Sequence, residues 1–307
     1  PTLKAFGFTN IIHVPEQDVV SGDFPTVVSP NPEEPAALAL AVEKAKETDA
    51  ELVLASDPDA DRVGAAVKNN EGEWVLLNGN QTALMFVYYL ITRWKELGKI
   101  NGKEYIVKTI VTTELIRTIA EKNGVEVYDV YTGFKWIPDV MKKNEGKKNY
   151  IGGGEESYGF LCEDFVRDKD AVSACAILAE IAAWAKDQGI TMYQLLQNIY
   201  VQYGFSKEKG ISVVKKGKSG AEEIEAMMKH FRENPLQEIA GSKVTLFYDY
   251  ASLKGKDYVE NETLTLDMPT TSNVLQYFTE DGTKVSIRPS GTEPKIKVYI
   301  LTQGADA

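Results

Sequence analysis

Between two apolar runs, Glu51-Leu52-Val53-Leu54-Ala55 and Val63-Gly64-Ala65-Ala66-Val67, the chain carries Ser56-Asp57-Pro58-Asp59-Ala60-Asp61-Arg62. Carboxylates at alternate positions on so short a connection repel one another. At about 5 Å and an effective dielectric of about 20, each pair costs roughly 3 kcal/mol. Three pairs make roughly 10 kcal/mol, comparable with the stability of a whole domain. Splaying the side chains into water relieves part of this, and a bound cation relieves more. Hard oxygen ligands favour Mg²⁺ or Ca²⁺ over zinc. An EF-hand loop is excluded: its sixth position should be Gly and is Arg62, its twelfth should be Glu and is Lys68, and the flanks read as strands. An acidic loop leaving the carboxyl end of a strand is where α/β sheets place their ligands.

The rest of the chain is long enough to build such a sheet. Its 307 residues suggest two or three domains, and 43% apolar and 26% charged content are ordinary for globular proteins. A formal charge of −11 argues against nucleic acid or an anionic membrane as the main partner, so positive charge for an anionic substrate must be supplied locally. Two cysteines, Cys162 and Cys175, fit a reduced, cytoplasmic compartment rather than a disulfide framework. The most apolar run, Ala83 to Ile91, is far shorter than the about 20 residues a membrane helix needs. The chain starts at Pro1 and enters structured-looking sequence at once, as expected for a piece of a longer protein.

Two strand-like runs, 11–14 (holding His13, expected to pack) and 24–28, open the chain. Asn31-Pro32-Glu33-Glu34 then predicts a helix to about Thr48, with Asn31 as cap and Pro32 at its first position. A second α/β pattern follows. It has helices over about 81–97, from 113 to the Asn123-Gly124 stop, over 170–187 and over 191–203, with strands over 105–111, 125–128 and 149–151. From Phe205 the pattern becomes α+β, with strands to about 214, over 243–248 and over 296–301, and a helix over 220–233. Asp281-Gly282 predicts a hairpin with a two-residue type I′ turn.

Four further loops carry polar groups. Gly154-Glu155-Glu156-Ser157-Tyr158-Gly159 offers carboxylates and a hydroxyl able to bond vicinal sugar hydroxyls, although alone it reads as a solvated tip. Arg167-Asp168-Lys169-Asp170 reads as a solvated helix entrance or a phosphate clamp. Thr132-Gly133 reads as a turn. Arg288-Pro289-Ser290-Gly291-Thr292 offers a guanidinium, hydroxyls and backbone amides that suit a phosphate, or forms an ordinary β-turn. Gly217-Lys218-Ser219 is not a Walker motif, because Ser212 stands where its first Gly belongs.

Together and in this order, these loops resemble the α-D-phosphohexomutases, phosphoglucomutase type, from about Phe24 onward. The resemblance implies an α/β fold: the end of domain 2 (residues 1–76), domain 3 (77–203) and a TATA-binding-protein-like α+β domain 4 (204–307). It implies Asp57, Asp59 and Asp61 as Mg²⁺ ligands followed by a catalytic Arg62. Glu155 and Ser157 would contact hexose hydroxyls, Thr132 and Gly133 would orient the sugar, and Lys169 would move a proton or touch phosphate. Arg288, Ser290, Gly291 and Thr292 would hold the non-reacting phosphate.

The implied reaction interconverts glucose 1-phosphate and glucose 6-phosphate through a phosphoserine and glucose 1,6-bisphosphate. The phosphoserine motif Thr-Ala-Ser-His-Asn-Pro is absent; Ser29-Pro30-Asn31-Pro32 lacks the His. The nucleophile is therefore expected in N-terminal domains of the same chain. These residues alone should bind hexose phosphate and Mg²⁺ weakly and turn nothing over. Phosphomannomutase or phosphopentomutase activity, and a non-catalytic sugar-phosphate-binding protein, are the alternatives. Glu-Glu-Ser-Tyr-Gly favours glucose over the dual-specific form, which usually has a His after its Ser.

Overall fold

The computed structural model of the chain describes residues 1–215, 217–290 and 294–304, and of Lys218 the backbone alone. It divides into two compact units, Pro1–Tyr203 and Gly204–Ala307.

The first unit begins with a single turn, α1 (Thr2–Ala5), and continues without regular structure to Glu34. The strands expected over 11–14 and 24–28 are absent there. His13 is exposed and pairs with Asp18 at 3.0 Å instead of packing. Helix α2 (Pro35–Glu47) starts later than expected, with Pro35 rather than Pro32 in its first turn. Asn31 does not cap it; its side chain accepts from Glu33 N at 3.1 Å, closing a local turn. β1 (Leu52–Ser56), β2 (Val63–Lys68) and β3 (Trp74–Leu77) form an antiparallel sheet in that order. Ser56 stands opposite Val63, so the acidic loop is the connection of a hairpin. Leu38 and Ala45 of α2 pack on Val53 and Ala66 beneath it.

Helix α3 (Gly79–Glu96) opens with a reciprocal cap, Asn78 accepting from Gln81 N and Gln81 from Asn78 N. It leads to β4 (Glu104–Thr109), α4 (Leu115–Lys122), β5 (Glu126–Val130), α5 (Trp136–Asn144), β6 (Asn149–Gly154), β7 (Phe160–Cys162), α6 (Ala171–Asp187) and α7 (Met192–Tyr203). The sheet order is β5-β4-β6-β7, parallel except for β7. Every residue of β4 is buried, as a strand covered on both faces requires.

The run Gly152-Gly153-Gly154 answers to packing. A Cβ at Gly153 would stand 2.4 Å from the Val107 carbonyl oxygen, and one at Gly154 2.5 Å from the Phe160 ring. Only glycine lets β6 lie so close to β4 and β7.

The second unit contains β8 (Phe205–Val214), α8 (Gly217–Glu233), β9 (Glu238–Ile239), β10 (Ser242–Asp249), β11 (Lys254–Asp257), β12 (Glu262–Thr265), β13 (Leu275–Thr279), β14 (Lys284–Pro289) and β15 (Lys295–Gly304). Its antiparallel sheet runs β12-β11-β10-β13-β14-β15-β8, with β9 beside β10. Ile224 and Met228 of α8 pack against Phe247, Leu275, Tyr277 and Ile287 on one face.

The turn at Asp281-Gly282 is not the two-residue type I′ form. Thr279 N donates to Thr283 O and Gly282 N to Thr279 O, so three residues make the loop. Gly282 (φ 81°) is left-handed, but Asp281 is not, whereas type I′ requires both. Among the described residues, no helix is long and apolar enough to cross a membrane.

Candidate functional site

The β1–β2 connection folds on Asp57. One oxygen of its carboxylate accepts from Asp61 N (3.0 Å) and Arg62 N (2.9 Å), and Ala60 takes φ 55° to complete the turn. That conformation costs a non-glycine residue about 1 kcal/mol. Carboxylate oxygens of Asp57, Asp59 and Asp61 come within 4.8 Å of one another. Asp57 is 9% exposed. Burial pushes its carboxyl pKa up against the two backbone N–H bonds, and the charges of Asp61 and Asp59 add to the rise. Arg62 answers in part, with Nε 3.6 Å from Asp57 and 3.7 Å from Asp61, and Nη1 3.4 Å from Glu33. Neighbouring ligands of an octahedral cation with bonds of about 2.1 Å lie about 3 Å apart, a spacing that three hard oxygen donors gathered within 4.8 Å reach by side-chain rotation. The donor set fits a small divalent cation.

The Glu155–Gly159 loop is anchored rather than solvated. Glu155 is 8% exposed; its N donates to Gly159 O, and its carboxylate accepts from Gly133 N at 2.8 Å. This joins two loops that are only separate candidates in the sequence. Glu156 points the other way and accepts from the hydroxyls of Thr109 (3.1 Å) and Thr112 (3.5 Å) at the end of β4. Its carbonyl oxygen lies over the start of α3, where a Cβ on Gly79 would be 2.0 Å away. Tyr158 adopts φ 69° and its carbonyl oxygen accepts from Val63 N, pinning this loop to the end of the acidic one. Ser157 and Thr132 are half-buried beside these anchors. The anchoring role of Glu156 was not legible in the sequence; two adjacent acids on opposite sides of a loop were the available signal.

Lys169 reaches the same place from a third loop. Its ammonium is 2.8 Å from Asp61 and 3.4 Å from Asp168, and it stands 5.2 Å from the centre of the Phe134 ring. Gly159 makes room for its stem, since a Cβ there would be 2.3 Å from the Lys169 Cδ. Burial works against the ammonium, but the bond and charge of Asp61 prevail and hold its pKa above that of an ordinary lysine. Asp170 caps α6 through Val172 N and Ser173 N, and Ala171 N donates to Ala60 O, tying that helix to the acidic loop.

In the second unit, Arg288 lies in β14 opposite Lys297 of β15. Its side chain makes no ion pair among the described residues. Ser290 N donates to Lys295 O at 2.8 Å, so this amide closes the hairpin and is not free for a phosphate. Gly291 and Thr292 lie outside the described residues. Ser290 and Lys295 border a cavity of about 280 Å³ whose floor is Ala221, Ile224 and Met228 of α8.

Three family models match in succession. They are alpha/beta/alpha domain II of phosphoglucomutase/phosphomannomutase over residues 1–72, domain III over 78–203 and the C-terminal domain over 213–306. A phosphoglucomutase of Staphylococcus aureus is 37% identical over 304 residues, covering 99% of this chain and 54% of the relative. One from Staphylococcus saprophyticus is 35% identical over 299 residues, covering 97% and 53%. The chain thus spans about half the length of the curated relatives it matches. A solved phosphoglucomutase/phosphomannomutase family protein of Burkholderia thailandensis shares the fold, with a TM-score of 0.60 at 18% identity over 93% of this chain and 49% of the other.

Proposed function

The chain belongs to the phosphoglucomutase/phosphomannomutase family, and from that premise we propose that it is the carboxyl-terminal part of a phosphoglucomutase. That enzyme interconverts glucose 1-phosphate and glucose 6-phosphate in the cytoplasm. Its parts here are the end of domain 2 (1–76), domain 3 (77–203) and domain 4 (204–307). The observation that carries this reading is the meeting of the acidic loop, the Glu155–Gly133 pair and Lys169 in one unit.

Asp57, Asp59 and Asp61 hold Mg²⁺, which when bound offsets the charge of a phosphoryl group in transfer. Arg62 steadies Asp57 and Asp61, with Glu33 sharing its guanidinium. Glu155 and Ser157 take the hexose hydroxyls, Thr132 and Gly133 orient the sugar, and the amide of Gly133 holds Glu155 in place. Lys169 supplies a proton or a cation at the sugar's reacting oxygen. Arg288, with Ser290, Gly291 and Thr292, binds the phosphate that is not reacting. The phosphoserine that gives its phosphoryl group to the hexose phosphate, forming glucose 1,6-bisphosphate, and takes the other phosphoryl group back from it, belongs to preceding residues of the longer protein.

A coupled assay with glucose 1-phosphate and the bisphosphate tests this. Residues 1–307 alone should show no turnover, and the protein extended upstream should show sustained turnover. Turnover by 1–307 alone, or none by the extended protein, counts against the reading. Relative rates on glucose, mannose and ribose 1-phosphates decide between this activity and those of the phosphomannomutase and phosphopentomutase type.

A further inference from the structure

Asn31-Pro32-Glu33 lies ahead of α2 and forms a turn of its own. Asn31 closes it, accepting from Glu33 N at 3.1 Å with its side chain and from Glu34 N at 3.0 Å with its carbonyl oxygen. Pro32 is buried against β2. A Cβ on Gly64 would stand 2.7 Å from the Pro32 Cβ and 3.0 Å from its carbonyl oxygen, so the turn lies this close to the strand because position 64 has none. Held there, the turn carries Glu33 to Arg62, whose Nη1 donates to Glu33 Oε1 at 3.4 Å. Among the described residues this is the only hydrogen bond of the Arg62 side chain; its Nε stands off from Asp57 and Asp61 at 3.6 and 3.7 Å. The Glu33 carboxylate also lies within electrostatic reach of the Tyr158 phenol, which burial and then the charge of Glu33 push up to about 12. Tyr158 in turn accepts from Val63 N at 3.1 Å through its carbonyl oxygen. Arg62, Val63 and Gly64, where the acidic loop enters β2, therefore meet Glu33, Tyr158 and Pro32 in succession.

We propose that Glu33 is a positioning residue for Arg62: it fixes the direction of the guanidinium beside the acidic loop, which the loop's own carboxylates leave open. This inference rests on the reading of the chain as part of a phosphoglucomutase with Arg62 in its machinery. Two observations carry it. Asp57 and Asp61 approach the guanidinium at Nε and at ion-pair distance, which limits its place but not its rotation. The hydrogen bond at Nη1, from a residue outside the loop, supplies that second constraint. Folding, by contrast, gains little from the contact. A further carboxylate beside three others adds repulsion, and an ion pair with side chains 39% and 34% exposed contributes little to stability. The turn itself is held by Asn31 and Pro32 and does not need the Glu33 carboxylate. Glu33 gives a long, otherwise mobile side chain one fixed partner at the place where charge has to be aimed.

Two measurements test this. In residues 1–307, the side-chain Nε–H resonance of Arg62, identified by its loss in Arg62→Lys, should stand apart from those of freely rotating arginines. In Glu33→Gln it should join them, while the melting temperature stays within about 2 °C of the native value. In the protein extended upstream, Glu33→Gln should lower kcat on glucose 1-phosphate about tenfold and leave KM within about twofold, because Arg62 works at the acidic loop and not on the hexose hydroxyls. Glu33→Asp, which keeps the charge on a shorter side chain, should recover part of the loss. In an Arg62→Met background, Glu33→Gln should change kcat by less than about twofold. An Arg62 resonance that does not move in Glu33→Gln overturns the proposal and leaves the functional reading standing. So does an unchanged kcat, or a loss of the same size with and without Arg62, because Glu33 then acts by another route. If the native extended protein does not turn over, the functional reading fails, and the resonance alone decides whether Glu33 directs the guanidinium.

Discussion

Two charge clusters in the first unit follow opposite designs. The inner part of the network around Lys108 is balanced, two cations against two carboxylates, with the exposed Glu121 joining only at its rim, 3.1 Å from Arg117. Lys108, 1% exposed, is 2.9 Å from Asp129 and 3.1 Å from Glu114, and Arg117 completes it at 2.6 Å from Asp129 and 3.6 Å from Glu114. Burial works against the Lys108 ammonium, yet Asp129 and Glu114 overcome it and hold its pKa above the ordinary lysine value. The Asp57–Asp61 loop is unbalanced, and burial pushes the Asp57 carboxyl up. A buried cluster whose charges cancel holds structure together, whereas one left with excess charge of one sign retains affinity for an ion.

Removing a charge should therefore have opposite consequences in the two places. Lys108→Met leaves Asp129 and Glu114 short of a cation, and should cost about 3 kcal/mol in denaturant unfolding. The partial exposure of both carboxylates keeps this at the low end of such losses. A loss below about 1 kcal/mol would break the comparison. In the acidic loop, Asp59→Asn should weaken Mg²⁺ binding at least about tenfold, some 1.4 kcal/mol, in a calorimetric titration. The metal-free protein should meanwhile hold or gain up to about 0.5 kcal/mol of stability, since the substitution relieves repulsion in a solvated loop.

Alkaline titration sharpens the contrast. The folded-state pKa of Lys108 lies above its unfolded value, so its contribution is complete below the unfolded pKa and is lost as pH rises through the folded one. The stability gap between native chain and Lys108→Met should stay constant to about pH 10 and narrow beyond it. Asp57 has the opposite sense: its raised carboxyl pKa is a cost at neutral pH, relieved as pH falls through that raised value.

The smallest expected effect concerns the element between the clusters. Glu156→Ala removes the acceptor for Thr109 and Thr112 and should cost about 1 kcal/mol, with faster amide exchange across 155–159. Unchanged exchange there would mean that the Gly79 contact and the Tyr158–Val63 bond place the loop without it.

Much of the site was legible because its chemistry is local. The alternation of Asp57, Asp59 and Asp61, the acid pair at 155–156 and the helix entrance at Arg167-Asp168-Lys169-Asp170 are each written within a few residues. Elements with weak local signals were missed, among them α1, β3, β7, β9, β11 and β12. β3 follows a turn at Gly72 and is four residues long, and β11 and β12 are charged strands whose place depends on β10. The expected cap at Asn31 failed because Pro35, three residues beyond Pro32, is an equally good first-turn proline.

By itself the sequence determined the residue types at each loop, the excess of negative charge at Asp57–Asp61 and the family to which the chain belongs. These depend on side-chain chemistry and short spacing. Only the tertiary structure decided that Glu155 meets Gly133, that Glu156 faces β4 and that Lys169 sits on Asp61. Those contacts join loops far apart in the chain. They depend on sheet order and on glycines at 79, 153, 154 and 159, where the space of one missing Cβ sets how near two backbones or side chains come.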